Sequence, residues 1–339
     1  MINRSLGASG PAVFPIGLGC MGMSDFYGPA DEGESIATLH AAMDAGITLF
    51  DTGDYYGMGH NELLLREAFR GRSRERVVIS VKFGALRDPA GAWLGIDTRP
   101  AAVKNFVTYS LRRLGTDHID IYRPGRFDPA VPIEDTVGAI ADLITQGHVR
   151  YIGLSEVGAD TLAKACKAHP ISDLQIEYSL ISRGIEPAIL PAARALGVGI
   201  TAYGVLSRGL LSGSWSKNRA TVKGDFRQFL PRFTGENLDQ NLAVVESLRK
   251  VADRKGATVA QVAVAWVLAR GRDIVPLVGA RRRDRLSEAL GALDLTLTLE
   301  ELAEIEAAVP ADAIAGTRYD PHQMRMLDSE RTPGGSSKG

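Results

Sequence analysis

A carboxylate, a phenol and an ammonium group follow two short apolar runs in the first quarter of the chain. Asp51 and Tyr56 follow the first run, and Lys82 ends the second. A phenol has a reference pKa of about 10, and a nearby ammonium favours its ionised form. A paired carboxylate keeps a partly buried ammonium charged. Each residue alone could cap a turn, pack on a rim or lie in solvent, but together they predict proton transfer, with Lys82 lowering the pKa of Tyr56.

The elements that must position these groups alternate between short β-branched runs and longer helical patterns, which predicts a parallel sheet with crossover helices. Pro100 and Gly115 bound one predicted helix, and Thr258 with Gln261 predicts a capping box at another. The predicted class is α/β, a (β/α)8 TIM barrel in a single domain over 1–330, with a long loop at 212–236 after strand seven and a flexible tail at 331–339. The predicted strands are 16–19, 47–51, 77–82, 118–122, 150–154, 174–177, 199–203 and 274–278. In such barrels, active sites lie where the strands end.

A glycine motif offers a different interpretation. Gly17, Gly19 and Gly22 spell GXGXXG after an apolar run, as in a Rossmann dinucleotide site. That site needs a helix N-terminus directly after the glycines, whereas residues 24–29 have the composition of a loop. We therefore favour a loop that passes close to a ligand.

Bulk properties favour a small-molecule partner. The chain has 39 basic and 40 acidic residues, and its formal net charge of -1 gives no field to attract nucleic acid or a membrane surface. It lacks a long apolar run and a secretion signal, which predicts a cytoplasmic protein. Cys20 and Cys166 are too few for a disulfide framework, and no histidine spacing indicates a metal site. An oligomer is possible but not implied.

Several stretches resemble the aldo-keto reductase superfamily, and the resemblance runs over nearly the whole chain. They include FDTGDYYGMGHNELLLREAF, VVISVKFG, SLRRLGTDHIDIY and YGVLSRGLLSG. The resemblance implies an NADP-dependent enzyme of the alcohol dehydrogenase (NADP+) type, which transfers hydride from NADPH to an aldehyde or a ketone. It assigns catalysis to Tyr56 as general acid, Lys82 as the group that tunes it and Asp51 as the partner of Lys82.

The same resemblance implies a cofactor site. It assigns Ser155 and Gln175 to the nicotinamide carboxamide and Tyr203 to stacking on the nicotinamide ring. Glu156 stands where many relatives have Asn, which makes the contact to the amide less certain. The residues assigned to the pyrophosphate are Leu206, Ser207 and Arg208.

An arginine-rich segment from Gly279 onward follows the eighth predicted strand. A solvated basic turn is the simpler interpretation. Because phosphates commonly bind after the last strands of such barrels, we expect Arg281 and Arg285 to bind the 2'-phosphate of NADPH, with Glu288 near the adenine.

Gly125 stands where relatives carry a histidine that hydrogen-bonds the substrate carbonyl. Losing such a donor typically costs about 10²- to 10³-fold in rate. Either Arg123 or Arg126 replaces it, or a water fills the space, or the gap admits a bulkier substrate such as a ring-bearing aldehyde. Pyridoxal reductases are similar in overall length and motif order, which makes a pyridoxal-type reductase one alternative. A non-catalytic NADPH-binding regulatory subunit is a further alternative. Loop position suggests a substrate wall near Gly125 that contains Phe26, Tyr27, Trp93, Arg126, Phe226 and Phe229.

Overall fold

Eight parallel strands close into a barrel in the computed structural model, which describes residues 2–219 and 222–331. Each strand pairs with the next along the chain, and the eighth pairs with the first. The predicted (β/α)8 barrel is therefore confirmed, and the predicted strand bounds differ from the observed ones by two residues at most. Numbered β1 to β8, the barrel strands span Gly17–Gly19, Leu49–Gly53, Val78–Phe83, Ile119–Pro124, Val149–Ser155, Asp173–Glu177, Gly199–Tyr203 and Ile274–Gly279.

Helices follow the strands, and their ends obey the local sequence. Pro100 occupies the first turn of its helix, and Gly115 ends it in the left-handed conformation at φ 66°. Thr258 and Gln261 form both bonds of the predicted capping box. Both predictions are confirmed. The helices α1 to α11 span Glu32–Asp44, His60–Phe69, Pro100–Leu114, Ile133–Thr145, Ala159–Ala168, Ile189–Ala195, Gly235–Arg254, Val259–Ala269, Arg283–Leu290, Leu299–Ala308 and Pro321–Arg325.

The glycine motif does not open a helix. Gly17 and Gly19 lie in β1, a short 3-10 turn spans Met21–Met23, and α1 begins only at Glu32. The glycine-to-helix junction that would receive a pyrophosphate is therefore missing at this point of the chain, and the Rossmann alternative is wrong.

Two hairpins that the sequence analysis did not predict complete the barrel. The first pairs Arg4–Ser5 with Ala12–Val13, and its Val13 packs with Leu49 and Ile121 inside the barrel. It covers the end where the strands begin, since Leu49 is the first residue of β2. The second hairpin pairs Ala85–Arg87 with Trp93–Ile96 directly after β3. It lies at the opposite end, where strands lead into the loops of the barrel mouth.

The long loop predicted over 212–236 contains two short 3-10 turns, Phe226–Phe229 and Pro231–Phe233, before α7 begins at Gly235. Residues 220 and 221 of this loop and residues 332–339 of the predicted tail lie outside the described residues. Within residues 2–219 and 222–331, no helix combines the length and the apolar character needed to cross a membrane.

Candidate active site

Asp51 and Lys82 form a buried ion pair at the mouth of the barrel. The register of β2 and β3 places Asp51 opposite Ser80 and Gly53 opposite Lys82, so the side chains of two adjacent strands meet. Lys82 Nζ donates to Asp51 Oδ1. Ser80 Oγ and Gln175 Nε2 both donate to Asp51 Oδ2, at 2.9 and 2.7 Å respectively. Burial lowers the pKa of Lys82, and the charge of Asp51 opposes that shift. The net shift is downward, so the ion pair offsets only part of the cost of burying the ammonium.

Tyr56 lies beside this pair, and Lys82 Nζ is 5.5 Å from the centroid of its ring. Burial raises the pKa of Tyr56 well above its usual value, the nearby Tyr55 and Asp51 raise it further, and Arg126 opposes them. The net shift is upward, against the expectation that this pKa is lowered, and Lys82 is not among the groups that shift it most. Burial is the largest cause of this shift. Tyr56 is consequently held in its protonated form at neutral pH.

The two arginines around Gly125 differ in position. Arg123 is 0% exposed, and its guanidinium donates to Asp173 at 2.9 and 3.2 Å and to Ser80 at 3.1 Å. It is committed to the barrel interior, so the expectation that Arg123 could replace the missing donor is wrong. Arg126 lies at the mouth, where Nη2 donates to Tyr319 Oη at 3.3 Å and Nη1 to the Gly125 carbonyl at 2.8 Å.

Two serines assigned to the cofactor carry buried hydroxyls that have no hydrogen-bond partner among the described residues. They are Ser155, at the end of β5, and Ser207, in the turn after β7. A buried hydroxyl without a partner is costly, which fits groups that bind a polar ligand. Gln175 Nε2 donates to Asp51, and the assignment of Gln175 to the nicotinamide carboxamide stays a prediction.

Tyr203 and Arg208 also have partners within the protein. Tyr203 Oη donates to Glu156 at 2.7 Å, and Arg208 donates to Glu177 at 3.1 Å. Leu206 precedes a turn in which Ser207 and Arg208 adopt positive φ values of 45° and 55°. The turn therefore has the tight backbone curvature that brings the chain close to the mouth.

The arginine-rich segment after Gly279 is exposed and mostly paired. Arg285 and Glu288 both lie on α9, and their side chains pair at 2.8 Å. Arg281 Nη1 donates only to backbone carbonyls, at 3.0 Å to Pro29 and 3.4 Å to Tyr27 and Gly28. Sequence analysis missed a neighbour of this segment, Arg219 of the long loop. Burial lowers the pKa of Arg219, and the positive charges of Arg227, Arg281 and Arg285 contribute to this, so cationic groups converge here.

Aromatic rings line the mouth in a row that we call the aromatic row, Phe26, Tyr56, Tyr55 and Trp93. The successive ring centroids are 6.2, 4.9 and 6.1 Å apart, and each pair is edge-to-face. Tyr27 and Phe226 form a second contact at 5.6 Å beside Phe26. Phe229 is 74% exposed and does not belong to this wall. Tyr55 was not singled out from sequence.

Sequence analysis also missed the C-terminal segment that crosses the mouth. Glu156, in the left-handed region at φ 55°, accepts from Arg318 at 2.6 and 2.9 Å and from Ser329 at 2.6 Å. Tyr319 follows, with its hydroxyl 3.2 Å from Tyr203 Oη and its ring 4.5 Å from the Arg208 guanidinium. The Glu156 carboxylate thus holds the C-terminal segment in place.

Across the described ranges 2–219 and 222–331, no three histidine, cysteine or acidic side chains cluster as a metal site.

Comparison with known proteins agrees with this geometry. The model of the Aldo/keto reductase family matches residues 15–310. The chain is 40% identical over 315 residues to probable aldo-keto reductase 1 of Glycine max, covering 93% of this chain and 90% of that protein. Among solved structures, it resembles the glycerol dehydrogenase AKR11B4 from Gluconobacter oxydans, with a TM-score of 0.82 at 29% identity over 93% of this chain and 98% of the other. It also resembles the aldo-keto reductase AKR11C1 from Bacillus halodurans, with a TM-score of 0.76 at 28% identity over 95% and 99%. The chain belongs to the aldo/keto reductase family.

Proposed function

We propose that this protein reduces the carbonyl group of an aldehyde or a ketone with NADPH, and that Tyr56 is the general acid. The observation that carries the proposal is the buried Lys82–Asp51 pair beside Tyr56, with Lys82 Nζ 5.5 Å from the ring centroid. These groups lie at the ends of adjacent strands, where barrel enzymes build their active sites. Membership of the family supports carbonyl reduction and a nicotinamide cofactor.

The residues divide the chemistry among themselves. A bound nicotinamide supplies a hydride for the carbonyl carbon. Tyr56 donates its phenolic proton to the carbonyl oxygen as the π electrons of the C=O bond move onto that oxygen, and the product is an alcohol. Burial favours the protonated phenol before the transfer. Afterwards the positive charge of Arg126 would stabilise the phenolate. Lys82, 5.5 Å from the ring centroid, would contribute to this, and its hydrogen bond to Asp51 favours the charged ammonium.

Three groups of residues would hold the cofactor. The unpartnered hydroxyls of Ser155 and Ser207 would bind its polar groups near the mouth. Arg208 would remain close to the pyrophosphate. Arg281 and Arg285, with Arg219, would bind the 2'-phosphate, because guanidinium groups pair with phosphate through two parallel hydrogen bonds.

The test is NADPH oxidation across a carbonyl panel that includes pyridoxal, benzaldehyde and propionaldehyde, measured for the wild-type protein and Tyr56→Phe. We expect turnover in the wild type and a loss of at least about 10³-fold in the variant, since the proton donor is removed while the ring remains. NADPH binding, followed by quenching of protein fluorescence, should be unchanged. Tight binding without turnover on any carbonyl would instead favour a regulatory NADPH-binding subunit.

A further inference from the structure

Position 125 is a glycine for reasons of space and not of backbone conformation. Gly125 directly follows β4, and its amide donates to the Phe83 carbonyl at 2.8 Å. Its φ lies outside the left-handed region that favours glycine. However, a Cβ at this position would lie 3.0 Å from the Tyr55 hydroxyl oxygen and 3.2 Å from Tyr55 Cε1. The Tyr55 phenol therefore occupies the space into which a side chain at position 125 would extend.

The Tyr55 ring is held in place by its neighbours in the aromatic row. It meets Tyr56 at 4.9 Å with an interplanar angle of 79°, and Trp93 at 6.1 Å and 89°. Edge-to-face contacts of this kind favour a defined ring orientation. Tyr55 and Tyr56 are consecutive, so the same turn after β2 delivers two phenols to the mouth.

The electrostatic surroundings keep the second phenol protonated. Burial raises the pKa of Tyr55, while the positive charge of Arg126 and a hydrogen bond with Tyr56 oppose the shift. A phenol that stays protonated is a hydrogen-bond donor. Arg126 lowers the pKa of Tyr56 as well, so one guanidinium acts on both hydroxyls.

We propose that the Tyr55 hydroxyl is a second hydrogen-bond donor to the carbonyl oxygen of the substrate and that Gly125 leaves the room this hydroxyl needs. The proposal rests on the proposed carbonyl reduction by Tyr56. Tyr56 gives up its proton, whereas Tyr55 keeps its own and stabilises the negative charge that develops on the oxygen as hydride arrives. A donor aimed at a developing oxyanion typically contributes about 10²- to 10³-fold in rate.

The experiment compares kcat for benzaldehyde and pyridoxal in the wild type, Tyr55→Phe and Tyr56→Phe. Tyr55→Phe keeps the ring and its packing, so the fold is preserved. We expect it to lower kcat about 10²-fold, with the Kd for NADPH within about twofold of the wild type. Tyr109→Phe is the matched control, because it removes the same hydroxyl from a tyrosine that is 55% exposed on α3. The control should keep the wild-type kcat.

A second variant tests the role of Gly125. Gly125→Ala adds the Cβ that would crowd the Tyr55 hydroxyl, and we expect it to lower kcat several-fold, roughly threefold to tenfold, because small misplacements of a donor are costly. In the Tyr55→Phe background it should have little further effect on kcat, since the Cβ would still press on the ring but the hydroxyl that it misplaces is already absent.

The outcomes separate the two proposals. A wild type that reduces no carbonyl overturns both. A wild type that is active and depends on Tyr56, but whose kcat changes less than about threefold in Tyr55→Phe, overturns the role of Tyr55 alone. The same is true if Gly125→Ala lowers kcat equally with and without the Tyr55 hydroxyl.

Discussion

The two sides of the barrel mouth use charge in different ways. On the side of β2 to β4, the Lys82–Asp51 pair and the Arg126 guanidinium lie beside two neutral phenols. On the side of β5 to β7, the carboxylates Glu156 and Glu177 face three guanidinium groups, those of Arg208, Arg232 and Arg318. The first side keeps protonated donors next to one ion pair and one guanidinium, that of Arg126, which donates to Tyr319 and to the Gly125 carbonyl. The second side pairs every charge named here with an opposite one.

The pKa directions reflect this difference. Burial raises the pKa values of Tyr55 and Tyr56, and the neighbouring charges do not overcome it. Burial also acts to raise the pKa of Glu156, but the positive charge and hydrogen bonds of Arg318 outweigh it and hold that pKa low. Buried ions are tolerated only when they are fully compensated. We infer that the first side is arranged to transfer a proton and the second to anchor the C-terminal segment.

Arg318→Met should therefore lower the free energy of unfolding more than any other substitution at the two sides of the mouth. It leaves the Glu156 carboxylate buried without its main partner, and removal of one member of a buried pair typically costs about 3–5 kcal/mol. The free energy of unfolding from urea titrations measures the effect. Arg282→Met is the matched control, since Arg282 and Asp284 form a pair at 64% and 53% side-chain exposure, and such pairs contribute about 1 kcal/mol or less. Equal losses in the two variants would contradict an anchoring role for Arg318.

The sequence predicted the β2 to β4 side of the mouth well because the residues of this side come from neighbouring strands. β2 and β3 are consecutive in the chain and adjacent in the barrel, so the residues at their ends meet once the strands are placed. Apolar runs rich in β-branched residues placed those strands to within two residues. What the sequence could not predict was the depth of burial, which is the largest cause of the raised pKa of Tyr56.

The second side escaped prediction because its partners are far apart. Arg318 and Glu156 are separated by 162 positions, and a single buried ion pair has no periodic signature. The start of α11 has local signals, since Asp320 caps it and Pro321 occupies its first turn, but these signals do not indicate the Arg318–Glu156 pair. Tyr55 escaped for a similar reason. The absence of a side chain at Gly125 indicates a gap, and only the structure shows that a phenol from another loop fills it.

Lowering the pH should destabilise the β5 to β7 side of the mouth before the β2 to β4 side. The loss in the free energy of unfolding should be smaller than that caused by Arg318→Met. The folded-state pKa of Glu156 lies below its unfolded value of about 4.3, so its stabilising contribution is fully present above that pH and is lost as the pH falls towards the folded pKa. Glu156→Gln should make the fall of unfolding free energy below pH ~4.3 shallower, by at most about 1.4 kcal/mol per pH unit. Urea titrations at several pH values measure the slope. Glu134→Gln, an exposed substitution on α4, provides the control, and identical slopes for the two variants would contradict the prediction.

The comparison of the two sides of the mouth also predicts which guanidinium is available to bind a ligand. The expected change in free energy is the smallest of the three predictions. Arg208 and Arg318 are committed to carboxylates, whereas in the part of the chain that the structure describes Arg281 donates to backbone carbonyls and has no carboxylate partner. Arg281→Ala should therefore raise the Kd for NADPH about tenfold and leave the Kd for NADH nearly unchanged, because one charge-assisted bond to the 2'-phosphate is lost, a free energy of about 1.4 kcal/mol. Arg283→Ala, which removes a nearby guanidinium that binds Glu34 at 2.9 Å, is the control. Equal weakening of NADPH and NADH by Arg281→Ala would mean that Arg281 only supports the loop carrying Tyr27 and Gly28, and would remove it from the phosphate site.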